Sequence, residues 1–328
     1  MKRPLLAAGI LVSLLFGCSG VRNAPSSSPG SDPFTLPNLV YSSPDGEDLF
    51  ADVHVPAGAA AHPAVLLVHG GAWAYGRRWH MSGIAQRLVE QGYTVVNIGY
   101  RLAPAHHFPQ ALYDCRAAVR WMRANADRFR LDPARIGAFG YSAGGHLVAL
   151  LALGAGAPDV DSASGDSRIE AAVIGAAPTD LFDLGGSFLT LQIVDRFLGG
   201  RGPETADLAA AASPILQVTP DDPPIFLYHG SSDWLVPVRQ SREMDRALAS
   251  AGVPHEYHEG SHGHLGTFFL DDEALVDAIA FLDHWLKGPP IPAGDLAALK
   301  IRPKRDDRAA ASSAGPPQPP APSGWLPR

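Results

Sequence analysis

One serine in this chain sits where chemistry could use it. Gly140-Tyr141-Ser142-Ala143-Gly144 follows a short apolar run, Arg135-Ile136-Gly137-Ala138-Phe139, and opens a helix-like stretch over 146–151. The order reads as strand, sharp turn and helix, with the serine at the apex and a glycine two residues to either side. A residue at the tip of so tight a turn is held in a strained backbone, and the chains beside it pass too close for a Cβ. The hydroxyl is thereby lifted clear of the sheet, within reach of a base, and the N–H of the next residue points at the same spot. The chemistry so prepared is nucleophilic attack by an activated hydroxyl.

Upstream, Ala64-Val65-Leu66-Leu67-Val68 reads as a fully buried strand that runs directly into His69-Gly70-Gly71-Ala72-Trp73. A glycine pair just past a parallel strand lets backbone amides turn toward an oxyanion, which the tetrahedral intermediate of acyl transfer requires. Taken in order, that pentapeptide, then Tyr100-Arg101-Leu102-Ala103-Pro104, then Gly140-Tyr141-Ser142-Ala143-Gly144-Gly145-His146 resemble the α/β-hydrolase serine esterases related to hormone-sensitive lipase. Within them the likeness is to the small carboxylesterase, feruloyl and acetyl-xylan esterase and isoprenylcysteine-methylesterase group, over residues 45–286. The resemblance implies a Ser-His-Asp triad, an acyl-enzyme, and hydrolysis of small, short-acyl carboxylic esters without metal or organic cofactor. It places the oxyanion on the N–H groups of Gly71, Ala72 and Ala143. Rival activities are an amidase of the kynurenine-formamidase type and a peptidase of the prolyl-oligopeptidase group. A non-catalytic binding lipoprotein on a hydrolase fold is the rival outside catalysis.

In such folds the acid and base follow the serine in the order Ser, Asp or Glu, His. Residues 224–230 read as another buried strand, ending in Ser231-Ser232-Asp233-Trp234-Leu235-Val236-Pro237. An aspartate just past a strand end, ahead of Val-Pro, matches the family's acid position and selects Asp233. The competing reading is a loop carboxylate capping the helix that begins near Pro237. Asp180 is an alternative acid, but it follows an earlier strand than the family's acid does, which favours a loop or capping role. For the base, Glu259-Gly260-Ser261-His262-Gly263-His264-Leu265-Gly266-Thr267-Phe268 follows the last strand and holds two histidines. A His-x-x-x-Phe pattern selects His264, while Gly-His-Gly-Phe maps loosely onto His262. His264 is the expected base and His262 its alternative. The pair His106-His107 and the lone His80 and His146 show no metal-binding spacing. His146 reads as a helix-packing residue, and Trp73 as both core and pocket wall.

These residues need a scaffold, and the rest of the chain supplies one. Apolar strands at 65–68, 94–98, 135–139, 171–175 and 224–229 alternate with helix-like segments at 80–91, 109–129, 143–153, 238–251 and 272–287. That alternation predicts a mostly parallel sheet with helices on both faces. An earlier pair, 38–42 and 49–55, is joined by Pro44-Asp45-Gly46 as a hairpin at an antiparallel edge. The hydrolase domain is expected over 34–288, with a small lid at about 182–223 where the alternation lapses. The formal net charge of −7 carries no basic stripe, so nucleic-acid binding is unsupported.

The ends read differently. Met1-Lys2-Arg3, an apolar run over 5–16 and Gly17-Cys18 describe a secretory signal too short for a comfortable membrane span. Leu15-Phe16-Gly17-Cys18 resembles a bacterial lipobox, which implies acylation of Cys18 and a lipid anchor in the cell envelope. Ser19 after it implies the outer membrane; Phe16 is bulky for a lipobox, and ordinary cleavage to a periplasmic or secreted protein is the alternative. Residues 19–33 are rich in Ser, Pro and Gly and read as a tether, and 289–328 as a disordered Pro-rich tail. The second of the two cysteines, Cys115, lies in a helical pattern and reads as a small buried apolar residue.

Overall fold

The computed structural model describes residues 32–154, 166–185 and 188–288. Cys18, the tether up to residue 31 and the tail from residue 289 lie outside the described residues. The strands are β1 (Phe34–Ser42), β2 (Leu49–Val55), β3 (His62–Val68), β4 (Thr94–Ile98), β5 (Leu131–Tyr141), β6 (Ala171–Gly175), β7 (Ile225–Gly230) and β8 (His255–Gly260). They form one sheet in the order β1-β2-β4-β3-β5-β6-β7-β8. The β1–β2 and β2–β4 pairs are antiparallel, and every pair from β4 to β8 is parallel.

The helices are α1 (Ser82–Glu90), α2 (Gln110–Ala124), α3 (Ala143–Ala152), α4 (Phe188–Leu198), α5 (Ala206–Ala211), α6 (Arg239–Ala251), α7 (His264–Leu270) and α8 (Asp272–Lys287). Their two-sided packing follows from side chains that alternate along each strand. In β3, Ala64, Leu66 and Val68 face a core shared with Leu112 and Cys115 of α2, Leu147 of α3 and Met244 of α6. Val65 and Leu67 face the opposite core, with Leu88 of α1 and Leu282 and Leu286 of α8. Continuous apolar strands are therefore buried on both faces.

The stretch expected as a lid carries α4 and α5. Val194, Phe197 and Leu198 of α4 and Ala209 of α5 belong to the first core, so this insertion is a packed wall of the domain. Two further boundaries differ from the sequence reading. Strand β5 starts at Leu131, because Leu131 pairs with His62 across a register shift before regular pairing resumes at Ile136. Helix α2 stops at Ala124 instead of 129, where Asn125 turns its side-chain amide onto the Trp121 carbonyl at 2.9 Å.

Candidate active site

The groups expected to do the chemistry sit just past the C-terminal ends of parallel strands: His69–Trp73 after β3, Ser142 after β5, Asp233 after β7 and His264 after β8. Ser142 holds φ 56°, ψ −123°, a region a side-chain-bearing residue rarely enters. Two glycines permit this turn. A Cβ on Gly140 would lie 2.2 Å from the Gly144 carbonyl oxygen, and one on Gly144 would lie 2.1 Å from that of Val68. The turn runs straight into α3, whose first residue is Ala143, and the leading amides of a helix have no intrahelical acceptor.

His264 Nε2 lies 2.9 Å from Ser142 Oγ, and His264 Nδ1 lies 2.6 Å from Asp233 Oδ2. The carboxylate cannot donate, so Nδ1 carries the proton and Nε2 is free to accept the serine hydroxyl's. Asp233 Oδ1 accepts from the Leu235 and Val236 amides, both at 2.9 Å. Burial alone would raise the pKa of this carboxyl. Hydrogen bonds from His229 and His264, the charge on His264 and the Val236 amide outweigh it and hold the group below the usual carboxylate range. The backbone carbonyl of His264 accepts from the Tyr141 hydroxyl, tying the base to the residue before Ser142.

The structure brings Ser142, Asp233 and His264 together and leaves His262 out. His262 makes no hydrogen bond to Ser142 or Asp233; its carbonyl accepts from the Ser232 amide at 3.2 Å and so braces the loop that carries Asp233. His264 is also not a loop residue. It opens α7, with Gly263 extended as the preceding cap position. Asp180 turns Oδ1 back onto the Phe182 amide at 2.8 Å, while its own amide donates to Gln240, a local loop role.

Sequence reasoning passed over His229. Buried at the end of β7, it places Nε2 2.9 Å from the Val236 carbonyl and 3.2 Å from Asp233 Oδ2, with Nδ1 2.7 Å from Ser241 Oγ. Facing a carbonyl and a carboxylate, Nε2 must bear a proton. His229 is thus a second imidazole donor to the same carboxylate oxygen as His264.

The glycine loop after β3 is held from beneath. Gly71 has φ 126°, and a Cβ there would meet the Tyr75 carbonyl at 2.3 Å; Ala72 and Trp73 both have φ 54°. The Tyr100 hydroxyl donates to the His69 carbonyl at 2.9 Å, and its ring stacks on that of His69. His69 donates from Nδ1 to the Gly70 carbonyl at 2.8 Å, and burial lowers its pKa to about 4. Trp73 donates from Nε1 to His146 Nδ1 at 3.2 Å, and His146 Nε2 donates to the Ala212 carbonyl at 2.8 Å. His146 is fully buried, which lowers its pKa to about 4 and keeps it neutral. The Trp73 ring stacks on Phe197 of α4. One bonded chain therefore joins the glycine loop, the helix after Ser142 and the insertion.

A cavity of about 410 Å³ opens over Ser142 and His264. Gly71, Ala72 and Ala143 line it, with Ile193, Val194 and Leu235 and the rings of Trp73 and Phe268 making its walls largely apolar. Cys115 is buried in α2, away from this cavity, and burial pushes its thiol pKa well up. Among the described residues no group of three or more His, Cys, Asp or Glu side chains is gathered as a metal ion would need.

The chain is similar to Esterase LipC of Mycobacterium tuberculosis, 35% identical over 216 residues, which are 61% of this chain and 53% of that protein. It is similar to Esterase LipQ of the same organism, 36% identical over 198 residues, 58% of this chain and 47% of that protein. The chain spans about half the length of these curated relatives. Among solved structures, a truncated carbohydrate esterase from gut microbiota matches with a TM-score of 0.70 at 25% identity, over 80% of this chain and 99% of that one. A family match runs over residues 51–248, from within β2 to within α6, and takes in Ser142 and Asp233 while stopping short of His264. By that match, over more than half its length, the chain belongs to the BD-FAE family, on an α/β-hydrolase fold.

Proposed function

We propose that the chain is a serine carboxylesterase acting on small, short-acyl carboxylic esters. The observation that carries this reading is the unbroken relay from Asp233 through His264 to Ser142, with Ser142 and His264 lining an apolar cavity. Ser142 Oγ attacks the ester carbonyl while His264 Nε2 takes its proton, and Asp233 holds the imidazole in the tautomer this needs. The oxyanion rests on the N–H groups of Gly71, Ala72 and Ala143. Collapse of the tetrahedral intermediate expels the alcohol with the proton from His264. Water then attacks the acyl-enzyme by the same route, releasing the acid and freeing Ser142. The insertion walls the acyl site as a lid, and Cys18 carries a lipid anchor that holds the enzyme at the cell envelope.

Turnover of p-nitrophenyl acetate and butyrate, beside formylkynurenine, tests the reading together with fluorophosphonate labelling. S142A is expected to lower kcat by roughly 10³- to 10⁶-fold with the fold intact. H264A should lose turnover and labelling together, since an unassisted hydroxyl is a poor nucleophile, and H262A should change KM or stability only. Full activity in S142A, or in both histidine variants, would end this assignment; faster turnover of formylkynurenine would move it to an amidase.

A further inference from the structure

A second cavity, of about 360 Å³, lies on the α1 and α8 flank of α7, and His80, Phe268 and Phe269 line both this cavity and the one over Ser142. The two phenylalanines are the partition. Their rings stand edge to face with centroids 4.7 Å apart, and Phe268 also packs on Tyr141 at 4.8 Å. Phe268 is half-buried, whereas Phe269 is 69% exposed, so its ring can swing without opening the core.

The two cavities differ in chemistry. The first is walled by aliphatic and aromatic carbon around the reacting groups. The second carries the Arg87–Asp272 ion pair, at 3.3 Å, along with Thr267 and Asp271. Asp271 Oδ1 caps α8 through the Ala274 amide at 3.0 Å and lies 3.7 Å from His258 Nε2, while its Oδ2 is buried against Gly260 of β8.

The direction of the substrate follows from the chemistry. The leaving oxygen must lie within hydrogen-bond reach of His264 Nε2, which is to give it a proton. His264 begins α7, and Leu265, Phe268 and Phe269 continue that helix along the cavity wall. The alcohol half of the ester therefore runs toward the partition, and the acyl half toward α4. Resting on the esterase reading above, we propose that the second cavity is a subsite for the distal part of the leaving alcohol. Phe269 is the swinging wall that admits it.

Acetates of ethanol and hexan-1-ol, assayed beside ethyl hexanoate, test this. Phe269→Ala should raise kcat/KM for hexyl acetate relative to ethyl acetate by about ten-fold or more, the scale on which an apolar pocket discriminates chain length. Phe269→Trp should lower the same ratio. Neither should move the ratio of ethyl hexanoate to ethyl acetate, which reports the acyl side. Unchanged alcohol ratios in an active enzyme, or equal shifts in the acyl series, would overturn the subsite and leave the esterase reading standing. A wild type that hydrolyses none of the esters would defeat both.

Discussion

Asp233 Oδ2 accepts from two imidazoles at once, 2.6 Å from His264 Nδ1 and 3.2 Å from His229 Nε2. With the Leu235 and Val236 amides on the other oxygen, the carboxylate is fixed in orientation by four donors, of which only His264 leads to Ser142. His229 acts as a positioning residue, since it touches neither Ser142 nor the cavity over it. A hydrogen bond to a charged group contributes about 1.5–3 kcal/mol. H229N is therefore expected to lower kcat by roughly 10- to 100-fold with little change in KM. Because Asp233 would lose a donor, its carboxylate should become more basic and stabilise the imidazolium more strongly. The acidic limb of the kcat/KM profile should then move to higher pH. S241A, which frees only the far nitrogen of His229, should give a weaker version of both effects. A loss of melting temperature with an unmoved pH profile would make His229 a packing residue and nothing more.

At the scale of elements, two buried neutral histidines bind the site together: His69 beneath the glycine loop and His146 between Trp73 and the insertion. Each has its pKa lowered to about 4 by burial, while an unfolded histidine titrates near 6.5. Between those values the unfolded chain binds more protons than the folded one, so stability rises with pH across the window and is lost as pH falls from about 6.5 toward 4. Each contributes a loss on the order of 3 kcal/mol at the acid end. Melting temperatures measured from pH 7 to 4.5 should fall for the wild type and fall less for H146Q, whose amide can donate and accept without titrating. Parallel curves would refute the assignment. The sequence made the serine turn, both strands beside it and the two-sided sheet legible, because glycine spacing and apolar runs are local signals. It left α7 unseen, since Gly263 and Gly266 weaken any helical period and tertiary packing against β7 and Tyr141 orders the segment. His229 stayed hidden for a related reason: inside an apolar strand its neighbours Ser241 and Val236 come from later in the chain.

At the scale of the molecule, the described chain begins at the end of the sheet opposite the cavity. Phe34 pairs with Val55, which follows the point where His54 meets Val95 at the start of β4, and Arg130 just before β5 holds the Asp32 carbonyl at 2.9 Å. Lys287, the last residue of α8, reaches the Gln91 carbonyl at 2.7 Å, ahead of β4, so the far end of the domain lies there too. Ser142, Asp233 and His264 follow the opposite, C-terminal strand ends. No helix of the described residues is long and apolar enough to cross a membrane. The proposed anchor at Cys18 would therefore hold the domain by its far end, with the cavity mouth turned away from the attachment. C18S is expected either to block processing, leaving an uncleaved leader, or to release the protein to the soluble fraction, because a bacterial lipoprotein's several acyl chains hold firmly where a single chain binds only marginally. The released enzyme should keep wild-type kcat/KM for a water-soluble ester, since nothing near the mouth has changed. Fractionation and assay of the same samples read both outcomes. Wild-type protein recovered without lipid, with a mature N-terminus downstream of Cys18, would replace the anchor with simple export. A released C18S enzyme with altered turnover of soluble ester would instead mean that attachment bears on the cavity, and that the mouth faces the membrane.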